Sequence, residues 1–224
     1  MKGLITKDLL QLKSYTKTLI IFMIIFIFVS LEPKNSSMDE ILIIMMTLGL
    51  GMFGMATFSY DEMAKADKYI LTFPLTKKEI VLSKYILAIA LTILGAVLGM
   101  IMSLAVSIIM KKALPNIIDM ISIALGGVFG ISLVESIQIP CIYKMGAEKG
   151  RIYMFLITAI IAFLAGGIIF FGEKLSSNHI LNSFLNIVNI GLELFLPLIL
   201  LVFIITIYYI SFKISYKIYS KKEF

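Results

Sequence analysis

Charge is scarce in this sequence. Only 15% of its 224 residues are charged and 60% are hydrophobic, against about 25% and roughly 45–50% in soluble globular proteins. With a mean hydropathy of +1.01, a fold of this size has too little interior to hide its apolar surface, so lipid must be part of its solvent. That excludes a water-soluble enzyme, a disulfide-rich secreted module and a disordered tail. The single cysteine, Cys141, allows no internal disulfide and no thiol metal cluster. With one histidine, His179, there is no Cys/His set and no H-E-x-x-H motif, so no metal site is expected.

Arginine is nearly absent: 19 of the 20 basic residues are lysine, and Arg151 is the exception. The net charge of +6 follows from lysine held on one side of a membrane rather than from nucleic-acid binding. A phosphate loop of the form G-x-x-x-x-G-K-[ST] is missing, so the chain is not expected to bind and hydrolyse ATP alone. Catalytic sets are missing as well. Gly130-Ile131-Ser132-Leu133 lacks the last glycine of the G-x-S-G of intramembrane serine proteases, and His179 is misplaced for one. The start, 1–17, is polar and long with no small-residue cleavage site after the first apolar run, and is not read as a cleavable signal.

What is present is a set of six apolar segments, at about 15–31, 41–59, 85–110, 120–141, 152–172 and 192–212. A helix needs about 20 residues to cross the hydrocarbon core. The first is short, and snorkelling of Lys13 and Lys17 extends it. The prediction is an all-α integral membrane protein of six transmembrane helices in a single domain, 1–224. Placing the N-terminus in the cytoplasm puts sixteen basic residues inside and leaves Lys34, Lys111, Lys112 and Lys174 outside. Such asymmetry is the positive-inside signal, and it predicts both termini cytoplasmic.

Local signals fit these boundaries. Ser37 and Glu40 have capping-box spacing at the start of the second span, as do Thr76 and Glu79 ahead of the third. Pro197 should bend the sixth span. The outer stretch 173–191 carries an apolar face and reads as a helix or loop at the outer leaflet. Residues 1–14 read as an interfacial helix, with Leu4, Ile5, Leu9 and Leu12 near one face.

Glycine occurs in three spaced sets. Gly49-Leu50-Gly51-Met52-Phe53-Gly54 matches G-x-G-x-x-G, but it sits in an apolar span and reads as helix packing, not a dinucleotide loop. Gly95/Gly99 and Gly126/Gly130 have G-x-x-x-G spacing and predict close helix contacts, within one subunit or between two. Two acids fall in or beside spans. Glu135 must face protein or water, because a charge near the bilayer centre costs on the order of 3 kcal/mol. It is read either as a translocation-path carboxylate or as a hydrogen-bonded packing residue. Glu193 opens the sixth segment, and its two readings are the same path or a favourable helix-dipole position.

The inner loop 60–84 is longer than a connection requires. It reads as a short helix containing Asp61, Glu62, Lys65, Asp67, Lys68 and Tyr69, then a corner at Pro74, then a capped helix. The alternative is a solvated lysine-rich face.

This loop and the opening Met1-Lys2-Gly3-Leu4-Ile5-Thr6-Lys7-Asp8-Leu9 carry a resemblance. The chain resembles permease subunits of the ABC-2 transporter family, in particular the short six-span permeases of the phenol-soluble-modulin exporter type. The shared pattern is an N-terminal M-K-G-L-x-x-K-D-L, an acidic pair after the second span, and P-L-T/S-K/R-K-E-I-V-L-S-K-Y, met here at Asp61, Glu62 and 74–85. Lys77 stands where such chains often have arginine.

The resemblance implies a type V exporter-like permease with an N-terminal amphipathic interface helix. It implies two separate ATPase subunits that carry ATP and magnesium, and a second permease subunit, identical or not. It also implies that 61–71 docks on the ATPase, through Asp61, Glu62, Lys65, Asp67, Lys68 and Tyr69, with Pro74 as a further coupling residue just beyond, while Lys2, Leu4, Lys7 and Asp8 of the interface helix brace it. An amphipathic, cytolytic or antimicrobial peptide is the implied cargo. The alternative function is an ion-gradient-driven transporter or channel using Glu135, against which the lack of a clear three-plus-three repeat argues.

Overall fold

The computed structural model describes residues 2–13, 16–30, 38–70, 72, 74–110, 115–150, 152, 156, 159 and 179–222, and within 179–197 the backbone alone. Among the described residues every regular element is helical. In hydrocarbon this is forced, because each N–H and C=O must find its partner within its own segment.

Among the described residues the helices are α1 (Lys2–Lys13), α2 (Thr16–Ser30), α3 (Met38–Met63), α4 (Ala66–Ile70), α5 (Lys77–Ile109), α6 (Ile117–Met145) and α7 (His179–Ser220). Among the described residues four stretches are long and apolar enough to cross a membrane: Glu40–Met63, Lys77–Ile109, Ile117–Met145 and Leu198–Ser220. They coincide with the second, third, fourth and sixth predicted segments. The first segment yields α2, whose 15 residues fall short of the roughly 20 needed. The fifth, 152–172, lies outside the described residues except at 152, 156 and 159.

The termini of these helices follow their sequences. Thr76 caps α5: its Oγ1 accepts from the Glu79 N–H at 3.3 Å, and the Glu79 carboxylate accepts from the Thr76 N–H at 2.9 Å. This is the capping box its spacing predicts. The box at Ser37 lies outside the described residues. Asn116 caps α6 through Oδ1, accepting from the Ile118 N–H at 3.2 Å. Helix α6 ends at Gly146, whose φ of +87° suits a residue without a Cβ. Helix α7 runs unbroken from His179, so 179–191 continues into the sixth segment instead of forming a separate outer element.

Glycine sets the packing. A methyl carbon on Gly95 would lie 2.8 Å from the Met46 carbonyl oxygen, and one on Gly99 would lie 2.9 Å from the Ile43 Cα. Helices α3 and α5 therefore touch backbone to backbone, as the small-xxx-small spacing predicts. The second predicted pair behaves differently: Gly126 and Gly130 have nothing within 4 Å, and only Gly127 reaches α3, at Thr47. The contact face lies one residue away from the predicted pair, along the stripe Met120, Ala124, Gly127 and Ile131, all buried.

Helix α7 docks on α5 and α6 through one stripe, Tyr208, Ser211, Ser215 and Tyr219, all buried. Tyr219 meets Tyr143 edge-on at 5.3 Å, and Phe58 meets Tyr143 at 5.5 Å. Further along, the Tyr85 hydroxyl lies 2.5 Å from Ser211 Oγ and 2.8 Å from Ser215 Oγ. The α7 terminus is pinned in turn by Lys77, whose Nζ donates to the Ser220 and Lys222 carbonyls at 3.0 and 3.3 Å.

Candidate functional site

At the end of α3 the chain gathers four charges. Lys84 of α5 reaches Asp61 at 2.6 Å and Asp8 of α1 at 2.9 Å, and Lys7 of α1 reaches Asp61 at 2.6 Å and Asp8 at 3.2 Å. Asp8, Asp61 and Lys84 are buried and Lys7 is partly so. Two cations against two carboxylates leave no net charge, which is what makes burial tolerable. Gln11 donates to Asp61 at 3.0 Å, Lys84 donates to Thr57 Oγ1 at 3.1 Å, and the Lys84 ammonium stands 5.1 Å from the centre of the Phe58 ring. Burial pulls the Lys7 ammonium down, but the Asp61 and Asp8 carboxylates outweigh it and hold its pKa above the ordinary value.

The quartet explains how α1 sits. Leu4, Asp8 and Leu12, one turn apart, form its buried stripe. Leu9, predicted near the apolar face, is exposed because the i, i+4 stripe that includes Asp8 takes the contact. Lys2 opens α1, and its side chain lies outside the described residues.

Glu62 turns the other way. Its carboxylate accepts from the Ala147 N–H, just past Gly146. A methyl carbon on Gly146 would come 2.6 Å from Glu62 Oε1, so the glycine also clears space for the acid. The acidic pair thus ties α3 to α1 and α5 on one side and to the end of α6 on the other.

Beyond this junction the chain turns outward. Lys65, exposed, adopts φ of +48° between α3 and α4. Met63 and Tyr69 are 80% and 69% exposed, and Pro74 forms an exposed bend. Asp67 and Lys68 lie on α4, and their side chains are outside the described residues. Ile70 folds back into the inner core. Lys84 is the member of this site that sequence reading counted only as a loop charge. Its signal was position: a lone lysine within Ile80-Val81-Leu82-Ser83-Lys84-Tyr85-Ile86-Leu87.

A second polar site lies inside the helix bundle. Glu135 of α6 is fully buried. Thr92 Oγ1 donates to its Oε1 at 3.1 Å, and the Tyr208 hydroxyl donates to its Oε2. Gly51 makes the room: a methyl carbon there would lie 3.2 Å from Glu135 Oε1 and 2.7 Å from Ile131. Glu135 is therefore hydrogen-bonded by α5 and α7. The Glu193 side chain lies outside the described residues. Its backbone lies well inside α7, which begins at His179, so the helix N-terminus that would favour an acid is elsewhere. Among the described residues no group of three or more His, Cys, Asp or Glu is placed to hold a metal ion.

Long apolar helices knit by small residues, with a charged junction at one end, define a multi-pass membrane protein. A family model described as ABC-2 family transporter protein matches residues 3–220, and the chain belongs to that family. It is a transmembrane component of an ABC transporter, a class that works with ABC ATPases. Comparison with curated proteins and with solved structures returns no significant match.

Proposed function

We propose that the chain is one half of the pore of an ABC exporter in the cell membrane, with both termini cytoplasmic. A second permease subunit completes the pore, and two ATPase subunits supply ATP and magnesium. The segment from Met63 to Pro74 is the surface that the ATPase grips, with Asp61 and Glu62 anchoring it to the helices. The observation that carries this reading is the exposed elbow at Met63, Tyr69 and Pro74, rooted directly in the Lys84–Asp61–Asp8–Lys7 quartet. An elbow attached to three helices by charge pairs passes a push to all three, whereas a loose loop would absorb it. Differential contact with open and closed ATPase then biases the permease between its two states. An amphipathic peptide is the proposed cargo.

The test is a single-cysteine cross-link. In a Cys141→Ala background, Tyr69→Cys should couple to a co-purified ATPase and take up membrane-impermeant maleimide only from the cytosolic side. Labelling from outside, or transport that persists without ATP and without any co-purifying ATPase, overturns the proposal. The buried Glu135 supports a second reading, a gradient-driven carrier. Under it, Glu135→Gln should abolish the pH dependence of transport.

A further inference from the structure

Helices α5, α6 and α7 leave a groove of about 510 Å³ between them. Its walls are apolar along most of their length, through Ile93, Val97, Met100, Leu125, Leu201 and Ile205. Several of these face outward, Ile205 and Ile93 being more than half exposed, so the groove opens sideways toward lipid.

Its polar groups are all at one end. Thr92, Ser132 and Tyr208 line the groove there, while Met100, Ile121 and Leu201 line the other end. From Ile89 to Met100 the groove runs about 16 Å along α5 at 1.5 Å per residue. Behind the polar end stands Glu135, held by the Thr92 and Tyr208 hydroxyls. Among the described residues no lysine, arginine or histidine pairs with it. A carboxylate isolated from water and from cations needs a proton or a positive partner. Each hydroxyl that donates to Glu135 keeps lone pairs with which to accept an N–H from the groove.

We infer that this groove binds an aliphatic cation, its ammonium head against Thr92, Tyr208 and the Glu135 charge behind them, its alkyl tail lying between α5 and α7. Charge complementarity selects this occupant over a neutral chain: the tail alone gains nothing over bilayer lipid, while the head gains the buried carboxylate of Glu135, which has no cationic partner among the described residues. As a cargo site it rests on the permease reading, but binding itself needs no ATPase, so the two can fail separately.

The chain has no tryptophan, which allows a single reporter at the apolar end, Leu201→Trp, in the full-length protein in phosphatidylcholine nanodiscs. Quenching is titrated with ω-bromododecylamine and with ω-bromododecanol. The amine should quench saturably and about tenfold more tightly than the alcohol, the gain expected for a charged partner. Glu135→Gln should reduce the amine to the level of the alcohol. Val97→Phe, on the exposed wall and away from the acid, should weaken both. Equal quenching by amine and alcohol, or an amine preference that survives Glu135→Gln, overturns the inference. Should Glu135→Gln not fold, amine quenching unchanged by Val97→Phe overturns it alone. Loss of amine binding in Val97→Phe with ATPase co-purification intact supports it.

Discussion

The Ser211 hydroxyl donates to the Ser136 carbonyl oxygen at 2.5 Å, and that carbonyl is the one Pro140 leaves without its helical partner. In α6 the N–H of residue 140 would normally bond to residue 136, but proline has none. A side chain from α7 takes the vacant place, so a break within one helix becomes a bond between two.

Ser211→Ala should destabilise the protein by about 1–2 kcal/mol, because a buried carbonyl loses its donor. Pro140→Ala restores a helical N–H at that carbonyl and should recover most of the loss in the double variant. Denaturant titration of the purified protein in lipid micelles, read as a double-mutant cycle, checks the coupling. Additive losses would show that the two residues act separately.

Lys84→Met removes the cation shared by Asp8 and Asp61 and should cost roughly 3–5 kcal/mol, the penalty for stranding a buried charge. Lys84→Met combined with Asp8→Leu should recover much of this. Asp61 then still holds Lys7 at 2.6 Å and no acid is left unpaired. The same titration distinguishes the outcomes. A single variant as stable as the parent would mean that the quartet is solvated.

Gly95→Val should disrupt folding, since a methyl carbon there already meets the α3 backbone at 2.8 Å and a backbone cannot turn aside as a side chain does. Gly126→Val has open space and should leave the yield of folded protein unchanged. Size-exclusion profiles of the two variants in parallel give the comparison.

Lys7 should respond only at high pH. Its folded pKa is raised above the ordinary 10.5 by the Asp61 and Asp8 carboxylates, against the opposing effect of burial. The stabilisation it supplies is thus complete below about pH 10.5 and is lost as pH rises through the folded value. Protection of α1 from protease in micelles should stay flat as Lys7 remains charged and fall at the alkaline end. Lys7→Gln should remove that alkaline fall.

Much of the helix arrangement was legible in the residues. The Thr76/Glu79 cap, the span starting beyond it and the Gly95/Gly99 contact all depend on local spacing, which a sequence displays directly. The Gly126/Gly130 spacing misled because a motif names a possible contact but not the helix face that finds a neighbour. Asp61 and Glu62 read as a pair with one purpose. Neighbouring residues on a helix point about 100° apart, and the two acids bond in different directions, to Lys84 and Lys7 and to Ala147.

The sequence alone determined that this chain lives in lipid and that it crosses repeatedly as helices. These follow from composition and segment length, properties that do not depend on which helix meets which. Only the tertiary structure decided that Lys84 closes a quartet with α1, that Ser211 answers Pro140, and that Glu135 stands behind an apolar groove. Each of these needs residues that lie 43 to 76 positions apart in the chain, and distance of that kind is set by packing, which no local pattern encodes.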